Sequence, residues 1–197
     1  AAPSDVFGNS VSISGDYAIV GANNDDDGGS NSGSAYIFKR DGASWSQQAK
    51  LTADDAAAGD AFGISVSIDG DYAIVGAIND DDGGTDSGSA YIFNRSGTTW
   101  SQQAKLNADD AAGFDDFGIS VSIDGDYAIV GAYRDDIDAS NTSDDGSNSG
   151  SAYIFSRSDT TWVQQAKLTA LDAAPSDVFG NSVSISGDYA IVGANND

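Results

Sequence analysis

Three acidic loops carry the residue types best suited to chemistry. In the first, Asn23, Asp25, Asp27 and Asn31 alternate around Gly28, loosely matching an oxygen-rich calcium loop with a central glycine. The second offers Asp80, Asp82 and Asp86, with Ile78 standing where the first loop opens on Asn23. The third is longer and offers Asp135, Asp136, Asp138, Asp144 and Asp145. Carboxylate and amide oxygens are hard ligands, so Ca2+ is the cofactor such loops would hold. No glutamate closes any loop as a bidentate ligand. The competing reading is that these aspartates are solvated turn residues bonding their own backbone.

Adjacent carboxylates at Asp54-Asp55, Asp109-Asp110 and Asp115-Asp116 suggest the acid–base pair of a glycosidase. They recur unit by unit, however, whereas catalysis needs one asymmetric site with perturbed acidities. The chain has no His and no Cys, which excludes a Ser-His-Asp triad, a thiol nucleophile and the usual zinc sites. The expectation is a protein that is not an enzyme. Trp45, Trp100 and Trp162 hold one recurring position, where they would form a sugar platform or pack on an adjoining unit; packing is the expected role.

Charge narrows the partners. The 31 acidic residues, all Asp, against 8 basic ones give a net charge of −23. Such a surface repels phosphates and anionic lipid, so no nucleic acid is expected. No apolar run reaches the length of a membrane-spanning helix, so no membrane insertion is expected either. The charge favours solubility, cations or basic partners.

The elements that must position these residues follow from internal repetition. Phe-Gly pairs at Phe7-Gly8, Phe62-Gly63, Phe117-Gly118 and Phe179-Gly180 are spaced 55, 55 and 62 residues apart. The extra seven residues of the third unit fall between Gly131 and Gly150, inside the acidic loop. Each unit reads as four short strands, in the first unit Ser10–Ile13, Tyr17–Ala22, Ser34–Phe38 and Trp45–Leu51. The turns between them are rich in Gly, Asp and Ser. Strands two and three are apolar on both alternating sets and must be covered on both sides. Strand four alternates, with Trp45, Gln47, Ala49 and Leu51 on one side and Lys50 on the other. Lys50, Lys105 and Lys167 recur there, as expected of an edge strand guarded by lysine. The architecture expected is all-β, made of tandem four-stranded antiparallel blades of β-propeller type, incomplete as a single closed ring. The units are residues 1–61, 62–116, 117–172 and the first half of a fourth at 173–197.

The segments Phe62-Gly63-Ile64-Ser65-Val66-Ser67-Ile68 and Tyr72-Ala73-Ile74-Val75-Gly76-Ala77, with their copies at Phe7–Ala22, Phe117–Ala132 and Phe179–Ala194, resemble the FG-GAP repeat. That repeat is the blade of the integrin α-chain propeller and of many bacterial surface proteins. The resemblance implies an extracellular or cell-surface location. The family's calcium loop lies between the first two strands, where this chain has only Ser14-Gly15-Asp16 or Asp69-Gly70-Asp71. That connection is too short to wrap the ion, so the family's metal site does not carry over.

Residues 173–197 repeat residues 1–25 without a change, giving a higher period of 172 residues. Three and a half blades do not close a ring, and bare apolar faces at both ends would associate. The expectation is an extracellular structural or adhesive repeat protein, a segment of a long or polymeric, fibre-like assembly. Self-association would run through blade faces or a swapped terminal half-blade. The alternative is a lectin-like or protein-binding propeller, taking a glycan or protein ligand on its Asp-rich loop face with calcium.

Overall fold

The computed structural model describes residues 4–136 and 148–196, and among these residues every regular element is a β-strand. The first blade is β1 (Val11–Ser14), β2 (Tyr17–Ala22), β3 (Ser34–Asp41) and β4 (Ser44–Leu51). The second is β5 (Ser65–Asp69), β6 (Tyr72–Ala77), β7 (Ser89–Ser96) and β8 (Thr99–Leu106). The third is β9 (Ser120–Asp124), β10 (Tyr127–Ala132), β11 (Ser151–Ser158) and β12 (Thr161–Leu168). A fourth sheet is the hairpin β13 (Ser182–Ser186) and β14 (Tyr189–Gly193). Within each blade the strands pair in chain order, all antiparallel, and the sheets do not close into a ring. Gly15 opens the two-residue turn between β1 and β2 at a φ of 56°, a left-handed value that glycine adopts without a Cβ clash.

The blades are arranged radially. First strands of successive blades lie side by side, β1 against β5, β5 against β9 and β9 against β13, while the outer strands touch little. The core is therefore split into layers between blades. One layer joins Ile19, Ile37 and Leu51 of the first blade to Phe62, Val66, Val75, Tyr91 and Trp100 of the second. The next repeats it one blade on, with Ile74, Ile92 and Leu106 against Phe117, Val130, Tyr153 and Trp162. A smaller layer seats Phe179, Val183 and Ile185 of the hairpin on Ile129 and Ile154. This is why strands two and three are apolar on both faces. Trp100 and Trp162 pack on the preceding blade; Trp45, on the corresponding face of the first blade, is 43% exposed.

The seam between blades is polar and specific. The outward amides of Val66, Ile68 and Gly70 donate to the hydroxyls of Ser10, Ser12 and Ser14. The amides of Ile123 and Ile185 repeat this with Ser67 and Ser122. The serines that alternate along the first strand thus satisfy the next blade's exposed edge. Backbones approach closely as well: a Cβ on Gly76 would sit 2.0 Å from the carbonyl oxygen of Gly118.

Strand four departs from the expected alternation. Ile37 pairs with Ala49 but Phe38 with Gln47, so Gln48 is an extra, bulged residue, as are Gln103 and Gln165. The bulge shifts the faces beyond it. Trp45, opposite Arg40, joins Lys50, opposite Tyr36, on one face, and Ala49 and Leu51 lie on the other. Strand four is the sheet edge, yet its lysines reach the acidic loops.

Candidate functional site

The same cluster forms in every complete blade, where the loop after the second strand meets the third and fourth. Tyr91 projects from β7 and Lys105 lies opposite it on β8, with the ammonium 5.2 Å from the ring centroid. Lys105 Nζ reaches Asp80 Oδ2 at 2.9 Å and Asp82 Oδ2 at 2.5 Å, both from the acidic loop. It also reaches Asp55 Oδ2, from the segment linking the first two blades, at 2.8 Å. The Tyr91 hydroxyl lies 2.7 Å from Asp80 Oδ2 and 3.0 Å from Asp55 Oδ1. A phenol has one proton, so it donates to one carboxylate at a time while the ammonium spans both. Ser89 Oγ donates to Asp80 Oδ1 at 2.9 Å.

In the third blade, Lys167 pairs with Asp110 at 2.7 Å and Asp135 at 2.6 Å, and Tyr153 lies 2.9 Å from Asp135 and 3.0 Å from Asp110. In the first, Lys50 holds Asp25 at 3.0 Å and contacts Asp27, and Tyr36 donates to Asp25 at 3.0 Å. Asp25, Asp80 and Asp135 are all buried. Each cluster fastens a loop, and in the second and third blades also the preceding linker, to the outer strands.

The acidities follow. Burial alone would raise Asp80, but hydrogen bonds from Tyr91, Lys105 and Ser89 outweigh it and hold the carboxyl below its ordinary value. Burial works against the Lys105 ammonium too, and Asp55, Asp82 and Asp80 together raise it. Tyr91 is raised by burial and by Asp80 beside it. The opposite case is Asp115, at the end of the linker before the third blade. Burial pushes it up to about 7, only partly offset by the Ala112 amide and reinforced by the charge of Asp135. Asp60, its counterpart one blade earlier, is raised by burial in the same way.

Several of the expected calcium ligands are therefore brought together. Asp25 and Asp27 converge on Lys50, Asp80 and Asp82 on Lys105, and Asp135 on Lys167. Asp55, Asp80 and Asp82 offer oxygens all within 4.8 Å of one another, a set able to hold a metal ion, with the Lys105 ammonium among them. Others stand apart. Asn31 and Asp86 occupy left-handed turn positions with φ of 54° and 52°, and their amides are held by Asp26 and Asp81. Asn23 donates to its neighbour Asn24, and Asp136 accepts from the Asn148 amide. Asp138, Asp144 and Asp145 lie outside the described residues. The loop pattern alone missed Tyr91, Lys105 and Asp55 as partners; their recurrence at the same intervals as the loop aspartates was the available signal.

Comparison with known proteins supports the repeat reading. The family model described as FG-GAP repeat matches residues 1–38, 45–93, 100–155 and 162–197. No curated protein matches the chain. Among solved structures, the crystal structure of Saccharomyces cerevisiae Sqt1 is similar with a TM-score of 0.52 and 9% identity. The match covers 87% of this chain and 37% of that one, a likeness of fold alone.

Proposed function

Because the chain belongs to the FG-GAP repeat family, whose units are blades of β-propeller type, we propose that it is a non-catalytic structural and adhesive protein of the cell exterior, working within a long or polymeric assembly. The observation that carries this reading is the uniformity of the clusters. Each complete blade has the same lysine, tyrosine and buried aspartate, tied down by hydrogen bonds rather than exposed to a substrate. A net charge of −23 keeps such an array soluble and free of nucleic acid.

A second reading is a binding module whose loop face takes a glycan or protein ligand with calcium. The convergence of Asp55, Asp80 and Asp82 favours it, and the ammonium already lodged among them weighs against it. Antibody labelling of intact source cells tests the first reading, with surface label on extended material as the expected result. Label that enters only after permeabilisation would refute it. Deleting residues 137–147 separates the two readings: the structural reading keeps the assembly intact, whereas the second loses ligand capture on glycan and protein arrays.

A further inference from the structure

Two surfaces of this chain match each other contact for contact. At the junction of the first two blades, Asp55 meets Tyr91 and Lys105, and the Asp54 amide donates to Gln102 Oε1 at 3.0 Å. Trp100 Nε1 donates to Gln48 Oε1 at 3.1 Å, and Arg95 lies over the Tyr17 ring at 4.3 Å. The next junction repeats all four contacts. Asp110 meets Tyr153 and Lys167, and the Asp109 amide donates to Gln164. Trp162 donates to Gln103, and Arg157 covers Tyr72.

Continuing the same register, the third blade offers Asp172, the Leu171 amide, Gln165 and Tyr127. The first blade offers the answering set: Lys50 with Tyr36, Gln47, Trp45 and Arg40. Asp172 and Gln165 are exposed, as is Tyr127 at 39%. A cleft of about 220 Å³ opens beside them, lined by Tyr127, Ile154, Gln165 and Tyr189 among others. On the first blade, Val11 and Ile13 are 66% and 65% exposed, while their counterparts Val66 and Ile68 are 6% and 4%.

We infer that the first blade of a second copy of this chain docks head to tail on the third blade. It sets Lys50 and Tyr36 on Asp172, Trp45 on Gln165 and Tyr127, and Arg40 over Tyr127. Only one inner hairpin fits in that joint, either β13–β14 of one copy or β1–β2 of the other. Their sequences are identical, so the contacts of the displaced hairpin are replaced one for one. Ser120 Oγ donates to the Gly180 carbonyl at 2.7 Å and the Ile185 amide to Ser122 at 3.2 Å; Gly8 and Ile13 are their equivalents. Exchange of an identical element is a low-cost route to association. What is gained is the outer half of the joint, contributed by β3 and β4. Two copies supply six complete blades, within the range of about four to eight at which such rings close. A rotation that does not close gives an open filament from the same joint.

Sedimentation of the purified 197-residue chain tests the joint. Assemblies in multiples of 20.0 kDa, growing with concentration, are expected. Asp172→Lys places a lysine against Lys50, and Trp45→Ser removes the anchor; each should weaken association roughly tenfold and the pair roughly a hundredfold. Phe114→Ser, an exposed apolar side chain outside the matched set, is the control and should leave association unchanged. A wild-type chain that stays monomeric overturns the inference, as does a double variant that assembles like wild type. The joint deepens the structural reading above but is tested apart from it: cell-surface labelling decides that reading, and these variants decide the joint.

Discussion

Replacing Lys105 with methionine isolates what the repeated cluster does. Methionine keeps most of the volume and the apolar stem of lysine but leaves three carboxylates without their ammonium. Asp80 is 5% exposed, so its charge has little water to turn to. Removing one member of a buried ion pair costs about 3–5 kcal/mol. The side chains of Asp55 and Asp82 are 47% and 56% exposed and can reorient into solvent, and Tyr91 and Ser89 still donate to Asp80. The expected loss is therefore smaller, about 2–3 kcal/mol, or roughly 5–10 °C in Tm for a chain of this size.

The pH dependence gives the sharper readout. In the wild type the lowered Asp80 stabilises above its ordinary range, and that contribution fades as acid approaches its folded value. The raised Lys105 stabilises below its ordinary value of 10.5, and that contribution fades only as pH climbs beyond it. Between these limits the cluster is fully formed. In the variant, burial acts on Asp80 without the ammonium, so the protonated carboxyl is favoured and the deficit should shrink from about pH 8 to about pH 5. Thermal unfolding followed by circular dichroism at both values measures this. Millimolar calcium should recover part of the Tm in the variant and leave the wild type unchanged, since the vacated space is ringed by three carboxylates. A variant that melts with the wild type at every pH would refute the reasoning and reduce Lys105 to an edge guard.

Three further outcomes follow from the packing. Asp115→Asn should stabilise the protein at neutral and alkaline pH, because keeping a carboxyl of folded value about 7 ionised costs up to about 4 kcal/mol relative to its ordinary 3.8. That gain should vanish below about pH 4, where the aspartate is protonated in both states; denaturant titration at the two extremes checks it. Gly76→Ala drives a Cβ into the Gly118 carbonyl and should cost roughly 3 kcal/mol or more, seen as a lowered denaturant midpoint. Trp100→Ala should cost about 3–5 kcal/mol, while Trp45→Ala should cost the monomer less than about half of that, because the first is buried between blades and the second is not. Equal losses would mean that Trp100 does not carry the inter-blade layer.

The repeat, its strand order and the two-sided burial of its middle strands could be read from the chain because they are periodic. Phe-Gly recurs at fixed intervals, and apolar residues fill both alternating sets of Tyr17–Ala22 and Ser34–Phe38. Turn residues punctuate the rest, and local backbone preference with binary pattern suffices for all of this. Only the tertiary structure decided which side of each blade a strand-four residue faces. The bulge at Gln48 shifts the register by one, and no alternation rule signals that one of two adjacent glutamines is an extra residue. It was likewise the stacking of blades that carried Asp55 from the linker to Asp80 in the loop and Lys105 on the strand, three groups drawn from 50 residues of chain. Their spacing was visible beforehand. Their meeting depends on distances between neighbouring sheets, which a one-dimensional pattern does not contain. From the sequence the loop aspartates read either as calcium ligands or as solvated turn residues, and it is the structure that sets Asp25, Asp80 and Asp135 against a lysine.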